Sequence, residues 1–185
     1  MAHDIDKSPV SFEMKVGNLP ASGTTITIDA APSQRAEMSR LHDVLSVERF
    51  HAELTVRPWK KDGVRVTGDV EADITQACVV TLEPLAAHIN EPVTALFVPD
   101  GSRLARMGRD EGEIVLEAEG EDPPEPFEGD TLDLGAVAEE FFALAIDPYP
   151  RKGGAPLQVT TEEKTEEVEA GPLYEKLKKL RRSGG

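Results

Sequence analysis

The segment HAELTVRPWKKDGVRVTGDVEADIT, residues 51–75, decides the fold class of this chain. Apolar and polar residues alternate in both of its halves, which is the period of a half-buried β-strand. The first apolar set begins at Ala52, and the second runs from Val64 to Ile74. Lys60-Lys61-Asp62-Gly63 lies between them, and an Asp-Gly pair supplies the positive φ of a tight turn. The segment therefore predicts a long β-hairpin, with Gly68 as a candidate β-bulge.

The flanking sequence predicts further strands. Residues 10–16 and 24–28 alternate in the same way, and residues 85–98 carry another apolar face. Pro84 and Pro92 interrupt the last of these segments, and proline cannot donate a hydrogen bond to a sheet. We therefore expect that strand to be kinked or at an edge. The apolar run at residues 78–82 is expected to continue the second strand of the hairpin.

Two segments have the apolar spacing of helices. The first, residues 33–46, follows Pro32 and has an apolar side made of Met38, Leu41, Val44 and Leu45. The second, residues 134–146, follows Asp133 as N-cap and ends before Pro148. Its expected buried stripe consists of Leu134, Val137, Ala138, Phe141, Leu144 and Ala145. Glu139 and Glu140 are expected to face outward or to lie at the edge of that stripe.

These elements predict an α+β fold, with a strongly curved antiparallel sheet or partly closed barrel and two packed helices. One domain is expected over residues 1–150. Within it, residues 99–130 are expected to form a mobile acidic loop, because Asp110 to Asp133 contains eleven acidic residues and no lysine or arginine. Residues 151–185 are expected to be a flexible tail that ends in a short amphipathic helix.

Composition limits the class of function. The net charge of −15 disfavours broad electrostatic binding to RNA or an anionic membrane, although it leaves room for a local basic patch. A single cysteine, Cys78, cannot form an intramolecular disulfide. No signal peptide or membrane-spanning apolar run is recognisable. We therefore expect a soluble, cytoplasmic protein.

The residues show no recognisable catalytic or metal-binding motif. At C-x-x-C spacing Cys78 is followed by Thr81, which is a poor zinc ligand. A lone cysteine in an apolar strand is typically a buried core residue. His51 and His88 lie on neighbouring strand segments, which leaves open whether either comes close to the thiol. Phosphate-loop, dinucleotide, hydrolase and calcium signatures are absent from the sequence. We expect no enzymatic activity, cofactor, metal site or small-molecule substrate.

The end of the hairpin is a candidate RNA-binding site. An aromatic ring beside cations at an exposed turn is the composition that stacks bases and holds phosphates. The residues concerned are Arg57, Trp59, Lys60, Lys61 and Arg65. The alternative is a solubilising turn with the tryptophan folded over the sheet.

The tail is the second basic place. Leu173, Leu177 and Leu180 share one face of the predicted terminal helix. The cations opposite them include Lys178, Lys179, Arg181 and Arg182. This segment is either an RNA-, ribosome- or partner-binding arm or a frayed solubilising terminus.

The order of these parts resembles the YceD family of bacterial large ribosomal RNA subunit accumulation proteins. The family has a C-x-R-C-L-x-P strand, and an acidic loop that leads into a helix. The matching residues of the first motif are Cys78, Leu82 and Pro84, and those of the second are Asp133, Leu134, Glu139 and Pro148. This chain departs from the pattern at Val80, where arginine is common, and at Thr81, which replaces the second cysteine. A metal or redox role of that cysteine pair is therefore in doubt here.

The resemblance implies a non-enzymatic ribosome-assembly factor that supports accumulation or processing of large-subunit (23S) ribosomal RNA. Its partner would be a precursor of that RNA or a ribosomal protein. The alternative is an acidic adaptor or chaperone that holds a basic ribosomal protein with the loop of residues 110–133, which suits the net charge of −15. An enzyme with a site around Cys78 is a third hypothesis.

Overall fold

The computed structural model describes residues 7–102 and 123–152, and the predicted hairpin is confirmed. Strands β3, Ser46–Trp59, and β4, Gly63–Ala77, pair antiparallel with Trp59 opposite Gly63. Their buried residues alternate as predicted. The positive φ of the turn was expected at Asp62-Gly63 but lies at Lys60, with φ 54°. Gly63 is already paired with Trp59 as the first residue of β4. The left-handed conformation therefore falls on Lys60, in the loop that precedes Gly63.

Most of the strands form one open sheet. Its order is β2-β3-β4-β5-β6, with β2 at Thr24–Asp29, β5 at Pro84–Pro99 and β6 at Glu125–Phe127. All neighbours are antiparallel except β5 and β6. Sheet and helices together confirm the α+β class. The pairing of the described strands does not confirm a partly closed barrel, and strong curvature stays a prediction.

The first strand is shorter than residues 10–16 and belongs to a different sheet. Strand β1, Glu13–Lys15, pairs with β7, Thr131–Asp133, in a two-stranded sheet. The backbone N–H of Leu134 donates to the carbonyl of Phe12, and that of Val16 donates to the carbonyl of Asp130, at 2.9 and 2.8 Å. These bonds hold the N-terminal segment beside the start of the second helix rather than in the main sheet.

Part of the acidic stretch is a strand, contrary to the expected loop. Glu125–Phe127 pairs in parallel with the end of β5, where Phe97 lies opposite Glu125 and Pro99 opposite Phe127. The backbone can join a sheet here because half-buried Phe127 packs against the core. Residues 103–122 of the predicted loop lie outside the described part of the chain.

Strand β5 is continuous over 16 residues, although Pro92 lies in its middle. Pro92 is opposite Asp69 of β4. Among the described residues, the other side of β5 pairs only where β6 adjoins its last three positions. Residues 84–96 of β5 therefore lie at an edge of the described sheet, as expected from Pro92.

Gly68 is not a bulge. The register runs without a break through the pairs Leu54↔Gly68 and Gly68↔Val93, and the irregularity of this hairpin lies between Val47 and Arg49 instead. Gly68 instead allows the backbone of β4 to approach that of β3 closely. A Cβ at this position would lie 2.0 Å from the carbonyl oxygen of Glu53.

We expect Gly68→Ala to lower the free energy of unfolding by about 2 kcal/mol, because β3 and β4 would have to separate. Urea denaturation monitored by circular dichroism measures the change. Gly17→Ala is the matched control, since a Cβ there meets nothing within 4 Å. Equal stability of the two variants would contradict the close-approach explanation.

Helix α1 spans Pro32–Leu41 and is shorter than the predicted 33–46. Pro32 is its first residue, and the side chain of Gln34 accepts a hydrogen bond from the backbone N–H of Ala31 at 2.8 Å. After the helix the chain reverses at Asp43, with φ 52°. Met38 and Val44 are buried as expected, whereas Leu41 and Leu45 are exposed. The helical period fails because residues 42–45 belong to the turn into β3.

Helix α2 spans Leu134–Ala145, and its N-cap is Asp133, as predicted. The predicted stripe is wrong in phase toward the C-terminus. Phe142 is fully buried, whereas Phe141 is half-buried and Leu144 is exposed. The side of α2 that carries Phe142 faces the core, where the Phe142 ring packs edge-to-face on Phe50 with the ring centroids 5.6 Å apart. Both helices join the inner face of the sheet in one core.

Candidate functional site

The hairpin end concentrates positive charge around one aromatic ring. The ammonium group of Lys60 lies 4.0 Å from the centroid of the Trp59 ring. Lys60, Lys61 and Arg57 are exposed, and Trp59 is half-buried. Arg57 lies directly opposite Arg65 across the two strands. The structure therefore brings together the five hairpin residues predicted from sequence.

A cleft of about 390 Å³ adjoins this hairpin end. Lys61 and Pro58 contribute from the hairpin, Phe127 from the end of β6, and Asp130 from the segment that joins β6 to β7. A lining that combines apolar side chains with a cation and carboxylates can hold a flat, polar-edged group such as a nucleobase. The sequence did not reveal this cleft, because Phe127 reaches the hairpin only through the pairing of β6 with β5.

The predicted tail residues Lys178, Lys179, Arg181 and Arg182 lie outside the described part of the chain. Their role in binding stays a prediction.

Cys78 is buried as predicted, with 1% exposure, but it lies in a turn rather than in a strand. Strand β4 ends at Ala77, and the N–H of Leu82 donates to the carbonyl of Cys78 at 2.8 Å. Hydrogen bonds from the hydroxyl and the N–H of Thr81, then from the N–H groups of Lys152 and Val80, lower the pKa of the thiol to about 6. Thr81, at the position of the family's second cysteine, thus bonds to the sulfur of the first.

His51 and His88, whose proximity to Cys78 the sequence left open, have partners elsewhere. Nδ1 of His51 lies 2.7 Å from Asp29, and Nδ1 of His88 lies 2.7 Å from Asp73, both on the outer face of the sheet. Among the described histidines, His42 lines a surface groove together with Cys78. Within the described ranges no group of three or more metal-ligating side chains is assembled.

His42 and Glu139 form a largely buried pair between α2 and the turn after α1, which the sequence pattern did not reveal. Nε2 of His42 lies 2.9 Å from Oε1 of Glu139, and the imidazole stacks edge-on against Phe142 at 5.3 Å. Glu139 was expected outward or at the edge of the stripe, but it is buried. The pair joins α2 to the turn after α1, and only tertiary packing brings its members together.

Comparison with known proteins identifies the family. The model of the family described as large ribosomal RNA subunit accumulation protein YceD matches residues 66–181. The match includes the Cys78 turn and α2, and it begins just after the five basic and aromatic hairpin residues. No curated protein and no solved structure matches this chain. Neither described helix is long and apolar enough to cross a membrane. Because the match covers more than half of its 185 residues, the chain belongs to the YceD family of large ribosomal RNA subunit accumulation proteins.

Proposed function

We propose that this protein supports accumulation of large-subunit ribosomal RNA as a non-enzymatic assembly factor in the cytoplasm. We further propose that it contacts the RNA precursor with the end of the β3–β4 hairpin. The family description supports the process. The observation that carries the contact is the ammonium group of Lys60 held 4.0 Å from the centroid of the Trp59 ring.

A local patch can bind phosphate on an acidic protein because salt screens distant charges. At physiological ionic strength the screening length is about 8 Å, so an RNA strand senses mainly the cations nearest to it. Lys60, Lys61 and Arg57 are such exposed cations at one end of the sheet. The acidic surface elsewhere repels RNA and so favours binding in one orientation.

The adjoining cleft suits single-stranded RNA better than duplex. Bases in loops and bulges can leave the stack and enter a pocket, whereas duplex bases cannot. Lys61 lines the cleft together with the apolar side chains of Phe127 and Pro58. A base in the cleft would thus bring its phosphate close to the cations of the hairpin.

The proposal predicts a loss of RNA affinity when the hairpin cations are removed. Lys60→Ala with Lys61→Ala should weaken binding of a large-subunit RNA precursor fragment in fluorescence anisotropy. It should also reduce the slope of log affinity against log salt by roughly 1.4, or about 0.7 for each lost phosphate contact with a single strand. Adding Trp59→Ala should remove a further 1–3 kcal/mol, roughly the stacking energy of one base.

The matched control is Arg40→Ala with Lys152→Ala, which removes two exposed cations near the other end of β4. It should leave the salt slope unchanged. A separate variant that ends after Lys152 measures the part played by the predicted tail cations. Unchanged RNA binding when the lysine substitutions and the tail deletion are combined would rule out this assignment of residues.

An acidic adaptor that binds a basic protein is the second candidate function, and the carboxylates of Glu125 and Glu140 favour it. Partial burial, and then the charge of Glu140, raise the pKa of Glu125. The two negative charges, one on strand β6 and one on helix α2, repel each other, and a basic partner would relieve that repulsion. Co-purification distinguishes the candidates: basic proteins lost on Glu125→Gln with Glu140→Gln, or on deletion of residues 110–124, favour the adaptor, and nuclease-sensitive association favours RNA contact.

A further inference from the structure

A second surface lies at the end of β4 opposite the hairpin turn. Three segments form a groove of about 350 Å³ there. They are the turn after α1 at His42 and Asp43, the end of β4 with the turn after it at residues 76–82, and the chain after α2 at residues 146–150. The groove is open to solvent above buried Cys78 and does not coincide with the proposed RNA contact.

Among the described residues, most exposed apolar side chains lie on or close in sequence to these three segments, and Val79 and Leu82 line the groove itself. In the described part of the chain eight large apolar side chains are exposed, and seven of them lie on or within two residues of the three segments. The seven are Leu41, Leu45, Val79, Val80, Leu82, Leu144 and Tyr149. Leu82 is 76% exposed. Single exposed apolar residues are ordinary, whereas a contiguous apolar patch is typical of a surface that another molecule covers.

The charges of the groove restrict what can cover it. Asp43 and Asp147, both exposed, are its carboxylates. His42 lies beside them, but its Nε2 already faces Glu139. At the rim, Lys152 is paired with Glu83 at 2.9 Å. The groove therefore combines apolar walls with acidic side chains.

We propose that this groove binds an apolar, positively charged peptide segment of a partner protein. Leucine-like side chains would contact Val79 and Leu82, and lysine or arginine would pair with Asp43 and Asp147. RNA and anionic membranes are disfavoured, because their phosphates would meet these carboxylates. A symmetric dimer is disfavoured because it would bring the same carboxylates face to face.

The two surfaces are far enough apart to act independently. Strand β4 runs from Gly63 at the hairpin end to Ala77 at the groove, and its 15 residues at about 3.3 Å each span up to roughly 50 Å. That separation exceeds the screening length in physiological salt several-fold. This inference does not rest on RNA binding at the hairpin, and either proposal can fail alone.

The test uses the full chain and a short fluorescein-labelled peptide of leucine and lysine, with binding followed by anisotropy. A leucine–glutamate peptide, in which the charge is reversed, tests the need for positive charge. A serine–lysine peptide, in which the apolar side chains are replaced, tests the need for apolar contact. We expect the leucine–lysine peptide to bind best, and Leu82→Ser with Val79→Ser to weaken it about tenfold or more. Asp43→Lys with Asp147→Lys should shift the preference to the leucine–glutamate peptide.

Phe12→Ser is the control, because Phe12 is the exposed large apolar residue of the described ranges that lies outside the groove segments and their neighbours in sequence. It should bind the peptide as the unaltered protein does. Equal binding of the three peptides, or binding unaffected by the Leu82 and Val79 substitutions, would overturn the proposal. So would displacement of the peptide by the RNA fragment, or a dimer in sedimentation equilibrium that Leu82→Ser dissociates, because RNA or a second copy would then be the occupant.

Discussion

Phe142→Ala is expected to lower the free energy of unfolding by about 4 kcal/mol, within the range for removal of a buried phenylalanine side chain. Phe142 is fully buried in α2. Its ring packs edge-to-face on Phe50 of β3 at 5.6 Å and on His42 at 5.3 Å. The substitution therefore removes apolar burial, two ring contacts and one wall of the buried His42–Glu139 pair at once. Urea denaturation with circular dichroism and tryptophan fluorescence measures the loss.

Phe141→Ala is the matched control, because the sequence pattern favoured Phe141 as the core residue. Phe141 is only half-buried. Its replacement should cost about 1 kcal/mol, since less apolar area returns to water. A larger loss from Phe141→Ala than from Phe142→Ala would mean that α2 has the phase expected from its sequence.

Asp133→Ala is expected to lower the free energy of unfolding by about 3 kcal/mol, which combines the loss of an N-cap with the loss of charge-assisted hydrogen bonds. Its Oδ1 accepts from the N–H groups of Gly135 and Ala136, at 3.0 and 3.1 Å, and from that of Phe12 at 2.8 Å. Oδ2 accepts from the hydroxyl of Ser11 at 2.6 Å. One carboxylate thus stabilises both the start of α2 and the segment that leads into β1.

The effect of Asp133 should depend on pH. Burial alone would raise its pKa, but the hydrogen bonds from Ser11, Phe12, Ala136 and Gly135 outweigh burial, and the pKa is lowered. A carboxyl whose pKa is lower in the folded state contributes its full stabilisation of the fold at pH values above its unfolded pKa of about 3.9. That stabilisation is lost as pH falls through the folded pKa.

Asp133→Asn isolates the charge, because the amide oxygen can still cap the helix. We expect the stability difference between this variant and the unaltered protein to be largest near neutral pH. It should shrink below about pH 4, as the carboxyl of the unaltered protein becomes protonated. Denaturation series at several pH values test this, and a difference that stays constant down to acid pH would contradict the role of the charge.

The hairpin and the cap could be predicted because each depends on neighbours in sequence. Alternation from Ala52 to Ile74 exposes one face of each strand to water, so the buried face follows from the pattern itself. An aspartate before an apolar helix caps that helix through its own backbone geometry. The basic hairpin end follows in the same way, because a turn brings its flanking residues together whatever the rest of the fold does.

Other features depended on packing across the chain. Val10 and Phe12 alternate like strand residues, yet their backbone meets Gly135, where an added Cβ would lie 1.9 Å from the carbonyl oxygen of Val10. Glu125–Phe127 resembled a solvated loop but pairs with β5. In each case a distant segment supplied the hydrogen bonds, and no local pattern reports which segment that will be.

The sequence by itself determined the α+β class, the long hairpin and its cationic, aromatic end, because these follow from periodicity and turn chemistry. Tertiary structure decided which side of α2 is buried, that His42 meets Glu139, and that Val79 and Leu82 share a groove with Asp43 and Asp147. The physical reason is that burial of a side chain depends on what packs against it. Residues 42, 78, 139 and 147 become neighbours only when the helices close over the end of the sheet.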